Sequence, residues 1–326
     1  MKKVVISIIV AMLLLCGCDK GQEKIDDIKE TIPETTSEIG GGHNVDPNGG
    51  IMVYQNIYKV KREENGDIKC SSFLGDDINY DGNKIELAID MSITSGKDLS
   101  GMMEAMVLMV VDEQLIPFCV EGSKEAIVHK VELENTVTLR KLISFSVNNI
   151  EKGEEKEWAV LLVPLLEEYA HVPDEAVVGL CDKMLVSSVD GTDTSENELC
   201  EQGYFYDTVE NLYGKSLFEI CQYNGAVKDF ILQGKDGKWY YTLDSRYSET
   251  LVVMLFCDGE LYDGFKGKSS LYIENTVEQQ QMHMEIDISR LAAGEHEMMA
   301  LVLEYDEEGK LRSARKSLVG NVDIAK

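Results

Sequence analysis

The feature of this sequence that most constrains its fold is an internal repeat. The seven residues at 131–137 are VELENTV, and the seven residues at 271–277 are LYIENTV. Four other matches keep the same order along the chain. The turn at 81–84 matches the turn at 236–238, segment 110–115 matches 256–261, and segment 158–163 matches 298–303. Between these last two, the alternating residues Ile143, Phe145 and Val147 match Met284, Ile286 and Ile288. Because an ordered series of matches marks a duplicated structural unit, the sequence predicts two copies of one domain, residues 51–192 and residues 199–326.

Short apolar runs separated by turn residues fill both copies. Asn65-Gly66, between two such runs, is a strong β-hairpin signal. The apolar residues Met282, Met284, Ile286 and Ile288 alternate with His283, Glu285, Asp287 and Ser289, which predicts a strand with one face in water. Strands spaced about 8–12 residues apart, without alternating helices, favour antiparallel sandwiches. The predicted fold class is therefore all-β, with two tandem antiparallel β-sandwich domains.

In strand spacing and turns, each copy resembles the immunoglobulin-like β-sandwiches of bacterial surface proteins. The resemblance covers the body of the chain and implies an immunoglobulin-like arrangement of strands in both domains. The Cys…Trp…Cys signature of antibody domains is absent from the sequence. Because folds of this kind host many functions, the resemblance implies no particular activity.

The N-terminus has the pattern of an export signal. Lys2 and Lys3 precede an apolar run at 4–15, which is the arrangement of a secretory signal and is too short to span a bilayer as a helix. Cys18 follows Leu15-Cys16-Gly17, and this motif resembles the lipobox of bacterial lipoproteins. The resemblance implies that 1–17 is a cleaved signal peptide and that Cys18 carries a diacylglyceryl group. The alternative is a plain secretory signal with two incidental cysteines.

The segment 18–50 is predicted to be a disordered linker that begins at the lipidated cysteine. It is rich in charged residues, threonine and glycine and contains no aromatic residue. Such a composition cannot bury enough apolar surface to offset the entropy of ordering the chain. With the lipobox, this predicts a protein outside the cytoplasm that is held on the cell membrane by lipid.

The net charge of the chain argues against one class of partner, and its cysteine content leaves two possibilities for the thiols. The formal net charge of −28 repels phosphate backbones, so we predict no nucleic-acid partner. Six cysteines follow Cys18, and no C-x-x-C motif occurs. An even number outside the cytoplasm permits disulfides, with Cys181 and Cys200 the favoured pair, while buried free thiols are the alternative.

A weak calcium motif lies at Asp77, Asn79 and Asp81. With Gly82 these residues match the first six positions of an EF-hand loop. However, the twelfth position, which normally supplies a bidentate glutamate, is Ala88. The pattern therefore predicts a structural turn, and a weak calcium site is the alternative.

Aromatic residues are concentrated between Tyr204 and Tyr247, and Trp239, Tyr240 and Tyr241 are adjacent. In a strand, Trp239 and Tyr241 share one face and Tyr240 takes the other. One of these faces must belong to the core. If the other were exposed, it would form a platform for a sugar or a protein, so these three residues are the speculative ligand-binding residues.

Signatures of catalysis are sparse. The sequence has no H-E-x-x-H pair, no G-x-S-x-G elbow and no phosphate-binding glycine loop. Glu295-His296-Glu297 is predicted to be a solvated acidic turn, and His129 a hydrogen-bonded strand residue. We therefore predict that the protein is not an enzyme.

The predicted function is that of a lipid-anchored extracytoplasmic binding protein that presents two β-sandwich modules to a protein or glycan partner. Two alternatives stay open. An accessory or solute-binding lipoprotein of a transporter would show a closed pocket between the domains. An enzyme acting on cell-surface polymer would show two acids with perturbed pKa values in a deep cleft.

Overall fold

The computed structural model of the chain describes residues 51–63, 65, 67–72, 77–95, 102–134, 137–147, 150–165, 183–187, 204–216, 220, 229–244, 250–273, 281–317 and 320–324. The predicted signal peptide, Cys18 and the linker lie outside these residues, as do Cys181 and Cys200. In the described part, regular structure is almost entirely β-strand, and the one named helix, α1 (Val209–Tyr213), has five residues. The predicted all-β class is confirmed.

The first half of the chain forms sheets I and II. Its strands are β1 (Ile51–Arg62), β2 (Ile68–Ser72), β3 (Ile78–Tyr80), β4 (Ile85–Ser95), β5 (Met102–Val111), β6 (Gln114–Leu115), β7 (Phe118–Val120), β8 (Val128–Glu134), β9 (Leu139–Phe145), β10 (Glu155–Pro164) and β11 (Lys183–Ser187). Sheet I has the order β2-β1-β4-β9-β7. Sheet II has the order β3-β11-β10-β5-β6, with β8 also paired to β5. The β3–β11 pair is parallel, and the other pairs are antiparallel.

The second half forms sheets III and IV, in which all described pairs are antiparallel. Its strands are β12 (Phe205–Tyr206), β13 (Phe230–Gln233), β14 (Trp239–Asp244), β15 (Thr250–Cys257), β16 (Glu260–Leu261), β17 (Ser270–Ile273), β18 (Gln281–Ile286), β19 (Gly294–Tyr305), β20 (Leu311–Lys316) and β21 (Gly320–Ile324). Sheet III has the order β16-β15-β19-β20, with β17 paired to β15 and β21 paired to β19. Sheet IV has the order β12-β18-β14-β13.

Strand pairing follows the sequence repeat. The same cross-strand pairs occur in both halves at positions that the repeat equates. Trp158 lies opposite Val111 in the first half, and Met298 lies opposite Cys257 in the second. Likewise, Phe145 lies opposite Ile85, and Ile286 lies opposite Trp239. The repeated residues therefore occupy equivalent strands with equivalent register.

The four sheets stack as layers in the order I, II, III, IV, with an apolar core between each neighbouring pair. Sheets I and II enclose one core, and sheets III and IV enclose a second. A third core lies between sheets II and III and joins the two halves. Strands β5, β10, β15 and β19 are consequently buried on both faces, which explains their nearly continuous apolar sequences.

The core between sheets II and III is built from equivalent positions of the two halves. Leu161 and Leu301 correspond in the repeat and both belong to this core, as do Val110 and Phe256. A two-fold dimer interface has the same property, because the same patch of each subunit is buried. Burial of each such leucine contributes about 2 kcal/mol to stability. The halves are therefore packed against one another in the manner of a symmetric dimer.

Hydrogen bonds between the halves surround this core. The Tyr305 hydroxyl donates to the Asp112 carbonyl at 2.5 Å, and the Leu311 N–H donates to Glu157 Oε2 at 2.6 Å. The buried Lys316 Nζ donates to the Pro164 carbonyl at 2.7 Å. Burial lowers the pKa of Lys316 to about 8, because its ammonium group is removed from water.

Candidate binding surface

The outer face of sheet IV is covered by residues 204–213. Thr208 begins α1 as its N-cap, with its side chain accepting a hydrogen bond from the Asn211 N–H at 3.2 Å. Gly214 ends the helix in the left-handed conformation, with φ of 74°. Val209 and Tyr213 point inwards and are buried against Phe230 and Tyr240 of the sheet. A capped helical turn therefore covers this end of the sheet.

His283 is fixed beneath this segment by a chain of hydrogen bonds. Its Nε2 lies 3.0 Å from the Asp207 carbonyl, which can only accept, so Nε2 carries the hydrogen. Its Nδ1 then accepts from the Thr242 hydroxyl at 2.8 Å, and the Thr242 oxygen accepts from the Tyr213 hydroxyl. The neutral imidazole satisfies all of these bonds.

The prediction of a wet face on this strand is wrong at His283, which is fully buried. The cause is the covering segment 204–213, which lies far away in the sequence. Burial lowers the pKa of His283, because the charged imidazolium would lose its hydration. Burial also raises the pKa of Tyr213. The group is therefore a neutral structural network that positions β12.

The aromatic edge, defined as Tyr204, Phe205 and Tyr206, lies at one side of sheet IV. The Phe205 ring contacts the rings of Tyr240 and His283, with centroid distances of 5.7 and 5.4 Å. The Tyr206 ring contacts Tyr204 edge-on at 5.6 Å. Yet Phe205 is 40% exposed and Tyr206 45% exposed, although both are large apolar side chains. The edge thus presents two supported aromatic rings to solvent.

Strand β12 is the last strand of sheet IV among the described residues. In the described part of the chain β12 pairs with β18 alone, through Phe205 opposite His283 and Tyr206 opposite Met282. Successive residues of a strand point to opposite faces, so Phe205 and Tyr206 flank the strand rather than form one flat platform. This geometry suits a partner that reaches around the edge of the sheet.

Polar groups lie on the neighbouring residues of sheet IV and next to β12 in sequence. Asp236 accepts from the Tyr240 hydroxyl at 2.5 Å, and Lys238 forms an ion pair with Glu285 at 2.7 Å. Asp207 accepts from Asn211 Nδ2 at 3.0 Å, and this bond lowers the pKa of the Asp207 carboxyl. Hydrogen-bonding groups beside exposed rings are what a specific binding surface requires.

The three aromatic residues that the sequence offered as a platform are all buried. Trp239 and Tyr241 lie in the core between sheets III and IV, and Tyr240 lies under α1 on the opposite face. Even the least buried, Trp239, is 9% exposed. The prediction of a platform at these residues is therefore corrected. Both faces of β14 are covered, and the exposed rings of sheet IV belong to β12.

Asp77, Asn79 and Asp81 follow the alternating pattern around β3. All three are exposed, while Ile78 and Tyr80 between them are buried. Extended backbone places alternate side chains roughly 6–7 Å apart in a row. Calcium instead requires six to eight oxygens around one point. The Asp81 carboxylate accepts the Asn83 N–H at 3.0 Å, so it closes the turn that the sequence predicted.

The sequence also made predictions for His129 and His296, of which one is confirmed and one is wrong. The His129 ring nitrogen Nε2 lies 2.7 Å from the Phe118 carbonyl, which confirms the prediction of a hydrogen-bonded strand residue. Glu295-His296-Glu297, by contrast, is not a solvated turn but part of β19, paired with β21. His296 belongs to the one group of three metal-ligand-type side chains found among the described residues, with Cys257 and Asp258.

In the described residues, no helix has the length and apolarity needed to cross a membrane. No family model matches the chain, and no curated protein matches it.

Several solved structures are similar to this chain. The CupB2 chaperone of Pseudomonas aeruginosa has 10% identity, covers 77% of this chain and 98% of its own, and gives a TM-score of 0.21. The YadV chaperone has 11% identity, with coverage of 76% and 96% and a TM-score of 0.20. The McoA multicopper oxidase of Aquifex aeolicus has 9% identity, with coverage of 82% and 65% and a TM-score of 0.22. Similarity at this level carries no information about function or partners.

Proposed function

We propose that this chain is a lipid-anchored, extracytoplasmic binding protein whose aromatic edge contacts a protein or glycan partner. The observation that carries the proposal is the exposure of Phe205 and Tyr206 beside each other on an edge strand. Exposed apolar groups of this kind, when rimmed by polar residues, are typical of interaction sites. Aromatic rings also supply large contact area at low entropic cost.

The anchor follows from the sequence. A diacylglyceryl group on Cys18 supplies two acyl chains, which is what stable attachment to a membrane requires. Residues 18–50 would then hold the sheets away from the lipid surface. A Cys18→Ser variant is expected to appear in the soluble extracellular fraction, whereas Cys16→Ser is the matched control and is expected to stay with membranes. Retention of Cys18→Ser with membranes would refute the anchor.

The binding surface is tested by removing the exposed rings. The double variant Phe205→Ser, Tyr206→Ser is expected to lose capture of the partner from a cell-surface extract. Tyr54→Ser is the matched control, because Tyr54 is 47% exposed but lies on β1 in sheet I, at the opposite end of the stack. It is expected to capture as much partner as the wild type. Equal capture by all three proteins would contradict the assignment of the edge.

The class of partner is decided in the same assay. Protease treatment of the extract abolishes capture if the partner is a protein, since an extended segment would pair with the side of β12 that has no partner among the described strands. Periodate treatment abolishes capture if the partner is a glycan, since a sugar ring would stack on one of the two aromatic side chains, on either face of β12. Circular dichroism of each variant establishes that the sheets are intact.

A further inference from the structure

Three side chains that commonly bind metals meet at the end of sheet III. Cys257 is the last residue of β15, Asp258 is the first residue of the tight turn to β16, and His296 lies on the neighbouring strand β19. One ligand atom from each side chain lies within 4.8 Å of the others. The turn is enforced by positive φ values at Asp258 and Gly259, of 52° and 73°.

The Asp258 carboxylate holds the three side chains together. Its Oδ2 accepts from His296 Nδ1 at 2.8 Å, and its Oδ1 accepts from the Glu297 N–H at 2.9 Å. A carboxylate oxygen of Asp258 also lies within 4.8 Å of the Cys257 sulfur. The three side chains thus bring together atoms that could all coordinate one cation.

His296 is oriented as metal-binding histidines are. Its second nitrogen, Nε2, lies 3.0 Å from the Ala292 carbonyl and must donate to it, because a carbonyl only accepts. A histidine that binds a metal through one nitrogen usually donates from the other to a carbonyl or carboxylate. The backbone therefore directs Nδ1 towards Cys257 and Asp258.

The equivalent turn in the first half of the chain shows which of these three residues is needed to form the turn. There the equivalent turn residue, Asp112, has a φ of 51° and accepts the Glu157 N–H at 3.1 Å. The residue equivalent to His296 is Lys156, which lies 3.3 Å from Asp112, and the residue equivalent to Cys257 is Val111. The aspartate is thus common to both turns. The thiol and the imidazole occur in the second half alone.

We propose that Cys257, Asp258 and His296 bind a divalent transition-metal ion, with Zn²⁺ the ion that best suits one sulfur, one nitrogen and one oxygen ligand. Binding breaks the S–H bond of Cys257 and releases that proton to solvent as the sulfur–metal bond forms. His296 Nδ1, which donates to Asp258 in the metal-free site, also loses its proton to solvent as the nitrogen–metal bond forms, so two protons are released for each ion bound. Asp258 is exposed to solvent, so water fills the fourth position. Thiolate, carboxylate and a divalent ion together carry no net charge.

The chain is acidic as a whole. Beside the turn, the Lys130 ammonium group donates to the Asp258 backbone carbonyl at 3.0 Å. Burial raises the pKa of Cys257 to about 11, so the thiol is protonated at neutral pH and the metal must displace its proton.

Cobalt titration of the full chain in detergent tests the site. Co²⁺ is expected to produce a thiolate-to-cobalt charge-transfer band at one equivalent, and Zn²⁺ is expected to abolish it. Cys257→Val and His296→Lys give the second half the residues of the first half, so both are expected to fold. Both are expected to lose the band or to bind at least about 100-fold more weakly, since a lost ligand costs more than a lost outer-shell partner.

Cys119→Val is the matched control, because Cys119 is also a buried free thiol but lies in sheet I. It is expected to keep the full band. The proposal is overturned if wild type gives no thiolate band, or if the band is unchanged in Cys257→Val, which would assign it to another cysteine.

Discussion

Replacing the buried Lys316 with methionine tests how the two halves are packed. Lys316 lies on β20 in the second half, and its ammonium group contacts the Pro164 carbonyl at the end of β10 in the first. This position is buried because sheets II and III meet there. If the halves were separated, the ammonium group would be in water. The pKa of Lys316 therefore reports directly on the packing.

The magnitude follows from the shift in pKa. Lowering the pKa of Lys316 from 10.5 to about 8 corresponds to a cost of roughly 3 kcal/mol while the folded state is charged. Lys316→Met removes that cost but leaves the Pro164 carbonyl without its donor, at a penalty of about 1–3 kcal/mol. At pH 7 the variant is thus expected to be as stable as wild type or more stable by about 2 kcal/mol.

The dependence on pH separates these two effects. Below pH 8 both folded and unfolded chains hold the proton, so the full cost is present. Between pH 8 and 10.5 the unfolded chain binds more protons than the folded chain, so wild-type stability rises with pH. The penalty at the Pro164 carbonyl does not change over this range. Wild type is therefore expected to gain about 1–2 kcal/mol relative to Lys316→Met between pH 8 and pH 9.5.

Urea unfolding of both proteins at pH 7, 8, 9 and 9.5, followed by tryptophan fluorescence, measures this difference. Trp158 and Trp239 lie in the cores of the first and second halves, so the signal reports on both. Parallel stability curves for the two proteins would refute the reasoning, because they would mean that Lys316 is charged and hydrated in the folded state.

Three further predictions concern the packing and the covering segment. Leu301→Ala, in the core between sheets II and III, is expected to cost about 3–5 kcal/mol and to lower the stability of both halves together, as measured by hydrogen exchange. Thr208→Ala removes the N-cap of α1 and is expected to cost about 1 kcal/mol in urea unfolding. Wild type is expected to lose stability in urea unfolding as the solution is acidified, and His283→Asn is expected to lose less. The folded pKa of His283 is lowered, so the unfolded chain takes up its proton first as the pH falls below about 6.5.

Much of the architecture could be predicted from local sequence. The repeat and the spacing of turns identified the strands, and the strand contacts at Trp158 and Met298 match positions equated from sequence alone. The stacking of sheets II and III was not predicted. Its signal was present, however, because β15 and β19 contain continuous apolar runs instead of alternating residues, as two-sided burial requires.

The proposed binding surface was harder to predict because it depends on contacts between distant segments. Trp239, Tyr240 and Tyr241 are strongly aromatic, but whether they are exposed is decided by α1 and by sheet III. Among the described residues of the second half, the exposed rings are those of Phe205 and Tyr206. The alternating pattern also predicted that His283 would be exposed, which is wrong. A polar residue can be buried wherever hydrogen-bond partners reach it.

The role of His296 could have been found from the repeat. Aligning the two copies places His296 opposite Lys156 and Cys257 opposite Val111, so the second turn differs from the first by two residues of types that commonly bind metals. Considered alone, Glu295-His296-Glu297 has the composition of a solvated loop. Comparison of repeat-equivalent positions therefore carries functional information that local composition does not.

Photo-crosslinking on intact cells tests the central claim most directly. A benzophenone amino acid placed at Phe205 reports contact at the aromatic edge, and the same group at Tyr54 reports contact at sheet I. The account predicts a discrete crosslinked product from position 205 and none from position 54. No product from position 205, or equal products from both positions, would contradict the claim that the aromatic edge binds the partner.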